Sequence, residues 1–349
     1  MPLSATDSVG PALHHTKQQL FRPFRLGQWT RVALVGLFAG ELSSGNGCSR
    51  FHPPSTASSA HHHWGMGIPH NWALLGPILV LLGFLIPVVV LIFMYLNSRM
   101  RFVLFDSIIA KHCEVSRFWS QRGGPALQLF VWKLILAAIV LGGTVLLIGV
   151  PLATTLSLGW IKTPRDHIIA IALTCVFVFL IFAAWIIGAL VVHVFTKDFV
   201  VPQMALENIS AFEGWRRLWR MLGSEKGPYA WYAVLKVAMT IVAGIAVSIV
   251  AAIVIVLLLI PFGGLGVISV MFGKAAGLGW DVFTITAAIV AASIFLLILF
   301  YVVSLISVPL IVFFPAYSIY FFASRYPQLA ALLYPPPPPM PISPTSLGI

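Results

Sequence analysis

Acidic residues are scarce in this 349-residue chain: 10 Asp and Glu stand against 21 Lys and Arg, and charged residues of both signs make up 9%. A typical soluble domain carries about 25% charged residues. So little charge cannot cover a water-soluble fold, and with 59% hydrophobic residues most of the chain must meet lipid. Cysteine is equally sparse. Cys48, Cys113 and Cys175 form no CxxC pair, which argues against a disulfide framework and a thiolate zinc site. Phosphate loops, serine-hydrolase elbows and HExxH motifs are missing as well. Of the few acids, only Glu207, Glu213 and Glu225 cluster. Their basic neighbours resemble helix capping rather than an acid/base pair. The sequence therefore predicts no catalysis and calls for no cofactor.

What is present is apolar sequence in long runs. A membrane span needs about 20 mainly apolar residues, and five runs qualify: 72–96, 127–156, 168–194, 229–260 and 282–307. None alternates as barrel strands do, and only helices satisfy every backbone group within one segment in lipid. The expected fold is all-α, a polytopic transmembrane helical bundle. A shorter apolar stretch, 32–40, follows Arg22, Arg25 and Arg31 and stops at Glu41. Its length suits an uncleaved short helix that is interfacial, re-entrant or signal-like. The chain thus divides into a basic, His-rich region (1–71), a bundle (72–326) and a Pro-rich tail (327–349).

Orientation follows from Lys and Arg near the helix ends. The loop after the first span holds Arg99, Arg101, Lys111, Arg117 and Arg122, and that after the third holds Lys197, Arg216, Arg217, Arg220 and Lys226. Both should face the cytoplasm. The excess of +11 is then a topology signal that needs no nucleic-acid partner. Lys17 and the three N-terminal arginines favour a cytoplasmic N-terminus, which requires 32–40 to cross; five spans with an outside N-terminus is the alternative.

One pattern recurs along the chain: 102–106 (FVLFD), 199–203 (FVVPQ) and 312–316 (VFFPA), offset by 97 and 113 residues. Each copy ends a long apolar helix, turns at an elbow and continues as a shorter segment. The first two copies are followed by a re-entering helix with one early lysine, Lys133 or Lys236. Duplicated helix–elbow–helix units occur in transporters and in membrane scaffolds alike.

The second elbow carries a capping-box pattern from Ser210 to Glu213. The following helix places Phe212, Trp215, Leu218, Trp219 and Leu222 on one face and Glu213, Arg216, Arg217 and Arg220 on the other. A basic helix bearing tryptophan lies in the interface against anionic headgroups. Arg216, Arg217, Arg220, Trp215 and Trp219, with Arg99, Arg101 and Arg117 from the first loop, are the candidate contacts to lipid headgroups or a protein partner.

Ion pathways need ionisable groups at depth. The five spans hold no Asp or Glu, and Lys133, Lys236 and His193 lie near span ends, where long side chains snorkel to headgroups. Small residues at four-residue spacing, such as Ala138/Gly142 and Ala184/Gly188, predict close helix packing. Residues 261–266 (PFGGLG) should end the fourth span in an outer loop or re-entrant segment, and Gly142, Gly143 and Pro151 should kink the second. His61, His62 and His63 are weak metal candidates, since consecutive histidines lack ligand spacing. The tail from 334 to 344 is a polyproline extension.

The segment 197–207 (KDFVVPQMALE), leading into 211–217 (AFEGWRR), resembles uncharacterised bacterial integral-membrane proteins related to the membrane domain of glycerophosphodiester phosphodiesterases. The resemblance covers about residues 20–330 and implies a helical fold in an inner membrane. It carries over no active-site residue, because those enzymes keep their acids and histidines in a separate soluble barrel. Two functional classes stay open. One is a non-enzymatic protein that organises lipid or a membrane complex through its basic elbows; the other is a transporter or channel for a lipid-like or small solute.

Overall fold

A computed structural model describes residues 3–41, 72–160, 167–275, 277 and 281–334, and among them there is no strand. Two short N-terminal helices, α1 (Val9–Phe21) and α2 (Leu26–Phe38), precede the long α3 (Trp72–Ile109). Then come α4 (Val115–Gln121), α5 (Gly123–Ser157) and α6 (Ile168–Phe195). A π turn (Thr196–Val200) joins α6 to α7 (Val201–Glu207), followed by α8 (Ala211–Ser224), α9 (Lys226–Ala275), α10 (Val282–Ala323) and α11 (Pro327–Leu333). The polytopic helical fold expected from the apolar runs is the fold observed. Five helices are long and apolar enough to cross a membrane, and between 0 and 17% of their apolar windows is buried inside the protein. Bare apolar rods of this kind are stable only against lipid.

The rods outlast a bilayer. At about 1.5 Å per residue, the 50 residues of α9 reach about 75 Å, against about 30 Å of hydrocarbon. On α3 and α10 the surplus builds a packed end, which the first turns of α9 join through the buried Tyr229 and Tyr232. On α3, Val80 to Phe93 are mostly exposed, whereas Met100 and Phe102 to Phe105 are buried; on α10, exposure through Tyr301 gives way to burial from Val308. The three copies of the repeat sit at these changeovers. Phe102, Phe199, Val200, Val312 and Ala316 are all fully buried. The copies therefore form a core rather than elbows: α3 and α10 run straight through theirs, and only the middle copy departs from the α-helix, through the π turn.

Other expected breaks are also absent. α9 continues through Pro261 and the glycines after it to Ala275, and α5 continues through Pro151. A break in lipid would expose more backbone groups than the one donor that proline removes. Gly143 serves close packing instead. A Cβ there would lie 2.3 Å from Cζ2 of Trp185, so α5 and α6 touch where the side chain is missing.

One face of the stretch 32–40 packs inside the protein, while Leu34 on the other is exposed. Val32, Ala33 and Val35 are buried, and a Cβ on Gly36 would meet Cγ2 of Ile311 on α10 at 2.4 Å. α1 docks beside it through His15, which lies between Tyr320 Oη at 3.1 Å and the Ile108 carbonyl oxygen at 3.0 Å. Nε2–H donates to the carbonyl, so Nδ1 accepts from the tyrosine. Burial, reinforced by Lys111, pushes the imidazole below its ordinary value of 6.5. A depressed pKa means that the undocked chain takes a proton first as pH falls. Docking of α1 is thus expected to weaken below about pH 6.5. Hydrogen-exchange protection of its amides should drop between about pH 7.5 and about pH 5.5, once corrected for intrinsic rates; equal protection would remove this role.

Candidate functional site: a buried charge cluster beneath a lateral cleft

Ionisable groups gather where the packed end begins. The end of α2 delivers Glu41, α3 delivers Arg101, and the π turn delivers Lys197 and Asp198. Glu41 is 6% exposed and accepts from Lys197 and from Arg101 Nη1 at 3.4 Å. Arg101 also donates to the Ala39 carbonyl at 2.6 Å, while its buried Nε has no hydrogen-bond partner among the described residues. Burial works to raise the Glu41 carboxyl, but Lys197 and Arg101 outweigh it and hold the group below its ordinary value. Asp198 is 3% exposed and accepts from Lys236, from Tyr232 Oη at 3.0 Å and from Ser318 Oγ at 3.2 Å. Buried carboxylates persist only when paired and hydrogen-bonded in this way. π turns recur at functional sites, and here one places consecutive residues of opposite charge in two separate pairs.

Above the cluster lies a cleft of about 840 Å³ between α2, α3, α5 and α6. Phe38, Val90, Phe93, Leu136 and Leu190 are among its apolar walls. Its polar residues are Asn97, Lys133 and His193, on each helix the lining position nearest the packed end. Lys133 Nζ donates to Asn97 Oδ1, and Asn97 Nδ2 donates to the Phe38 carbonyl at 2.8 Å. A narrow space lined by Arg101, Lys133, His193 and Lys197 continues from the cleft floor towards the cluster. Lys133 and Lys236 thus do not snorkel as expected: both are bonded within the protein.

The residues expected at headgroups divide. Arg101 is 5% exposed and held by Glu41, so it faces protein. Arg99 lies over the Trp119 ring at 4.4 Å and donates to its carbonyl. Arg117 is exposed beside Glu114 at 3.6 Å. On α8, Ser210 accepts from the Glu213 amide at 3.3 Å, as the capping pattern predicts, while the Glu213 carboxylate turns to Arg216 and Arg217 instead of reaching back. Arg216, with Arg217, holds that carboxyl below its ordinary value. Arg217 also pairs with Glu207 at 2.5 Å. Arg216 and Arg220 are exposed. Trp215 points inward and donates to Thr196 Oγ1 at 3.0 Å, whereas Trp219 is 71% exposed.

Glu41, Asp198, Tyr232 and Ser318 were not identified in the sequence as site residues. The available signal was the pair Lys197–Asp198 directly after an apolar run, together with Tyr232 one helical turn before Lys236. Among the described residues no group of three or more His, Cys, Asp or Glu is placed to hold a metal; His61, His62 and His63 lie outside them.

No curated protein and no solved structure matches the chain. Nothing in these comparisons links it to the membrane domain of glycerophosphodiester phosphodiesterases. A family model does match, over residues 3–332, spanning both the buried cluster and the five apolar rods. By that match the chain belongs to DUF7544, a family of unknown function.

Proposed function

We propose that the protein is a non-enzymatic, multi-pass membrane protein that organises anionic lipid through its basic end, with that end in the cytoplasm of a bacterial cell. The observation that carries the reading is the setting of α8. Its exposed Phe212 meets Trp132 edge-on at 4.9 Å, close to where the apolar run of α5 begins, and Trp231 near the start of α9 is exposed as well. Aromatic side chains at this level are those of a headgroup belt. Arg216 and Arg220 then project from the same short helix, and each such cation attracts anionic headgroups within a Debye length.

Transport has less support. The charge cluster encloses only about 30 Å³ beside Glu41, Arg101 and Asp198, the volume of about one water molecule. Lipid counting tests the lipid-organising reading. Full-length protein in nanodiscs of mixed neutral and anionic phospholipid should enrich the anionic species. Replacing Arg216, Arg217 and Arg220 with Gln should lower that enrichment severalfold and make it insensitive to salt. Enrichment unchanged in the triple variant would refute the proposal.

A further inference from the structure

The lateral cleft invites a more specific assignment, independent of the α8 surface. We infer that it is a binding site for one membrane lipid bearing an anionic phosphate, with the acyl chain along the apolar walls and the phosphate against Lys133 and His193.

Charge carries the first half of the inference. Among the described residues of the connected cluster, Arg101, Lys133, Lys197 and Lys236 face two carboxylates, Glu41 and Asp198. Lys197 and Arg101 share Glu41, and Lys236 takes Asp198. Lys133 is left with the neutral Asn97 amide, whose own N–H is committed to Phe38. A lysine drawn from water onto an amide keeps most of its desolvation cost. A phosphate oxygen at the cleft floor would supply the missing charge-assisted bond, with His193 offering a second donor. Arg101, whose buried Nε has no partner among the described residues, lines the same narrow space as Lys133 and His193.

Shape and setting carry the second half. The cleft volume of about 840 Å³ is within the range of about 300–1,000 Å³ typical of small-molecule sites. Val90, Phe93 and Leu190 line it and are half or more exposed on helices that otherwise face lipid. Its mouth therefore opens to hydrocarbon, and an occupant arrives from the bilayer. Free phosphate makes no use of such walls, and a zwitterionic phospholipid, whose phosphate is offset by its own cationic headgroup, adds no net charge to balance Lys133.

Native mass spectrometry of the full-length, detergent-solubilised chain tests this, titrated with phosphatidic acid or phosphatidylglycerol and, separately, phosphatidylcholine. The wild type should retain one anionic lipid in preference to the neutral one. Lys133→Gln, which removes the charge, and Ala189→Phe, which fills the cleft and leaves every charge in place, should each weaken retention by about tenfold. Lys133→Arg should restore it, and the triple Gln variant of α8 should leave it intact. Full retention in both Lys133→Gln and Ala189→Phe would overturn the proposal. So would equal binding of phosphatidylcholine, or displacement of the lipid by excess inorganic phosphate, which would mark the site as one for a free anion.

Discussion

Replacing Asp198 with Asn is expected to destabilise the packed end by about 3–5 kcal/mol, the cost of stripping a buried ion of its partner. The aspartate is the acceptor on which α9 and α10 converge, through Lys236 and Tyr232 from one and Ser318 from the other. Asn keeps the shape and one acceptor oxygen but removes the charge, leaving the Lys236 ammonium, 11% exposed, without a counter-ion. Thermal melting followed by size-exclusion chromatography in detergent should show a large downward shift. Adding Lys236→Met should recover part of it, because the buried ammonium left without a counter-ion is then gone. Arg117→Gln, which breaks only the exposed contact to Glu114, should melt like the wild type. If Asp198→Asn melts there too, the ion pair does not hold the helices together.

Phe199→Ala should be comparably damaging, at about 3–5 kcal/mol. Its ring is fully buried and meets Phe195, Tyr229, Tyr232, Phe321 and Phe322 at centroid distances of 5.1 to 6.1 Å. Those partners come from α6, α9 and α10, so the cavity opens where three helices meet in the packed end. Phe199→Leu should retain much of the stability by filling most of the space. Phe177→Ala on α6, 65% exposed on a lipid-facing rod, should change melting little. Similar shifts for Phe199→Ala and Phe177→Ala would mean that the aromatic core is not the mechanical centre of the packed end.

These two neighbours also show which parts of the sequence were legible. Phe199 belongs to a repeat visible by aligning the chain on itself, and the repeat does mark the residues that matter. Its geometric meaning was missed. Bulky residues and prolines after an apolar run suggest an elbow, yet Pro309 and Pro315 stay inside α10, because neighbouring helices shield the backbone and a bend would uncover it. Lys197 was read as a loop charge, Asp198 beside it was not singled out, and Glu41 was read as the residue that interrupts a hydrophobic stretch. Hydropathy assigns each charge to water, since it has no access to a partner 38, 60 or 156 residues away. The α8 helix, by contrast, was legible to its cap, since Ser210 and the amide of Glu213 are three residues apart and need no tertiary information.

The sequence by itself determined that this chain enters a membrane as helices, where its five spans lie and which end is basic. Those properties follow from local composition, because about 20 consecutive apolar residues have one low-energy solution in lipid. Only the tertiary structure decided that α2 packs one face against α10, that the repeats make a core, and that scattered charges become one cluster under an apolar cleft. Burial of a charge is favourable only with a partner in place, and that placement is settled by packing among distant helices.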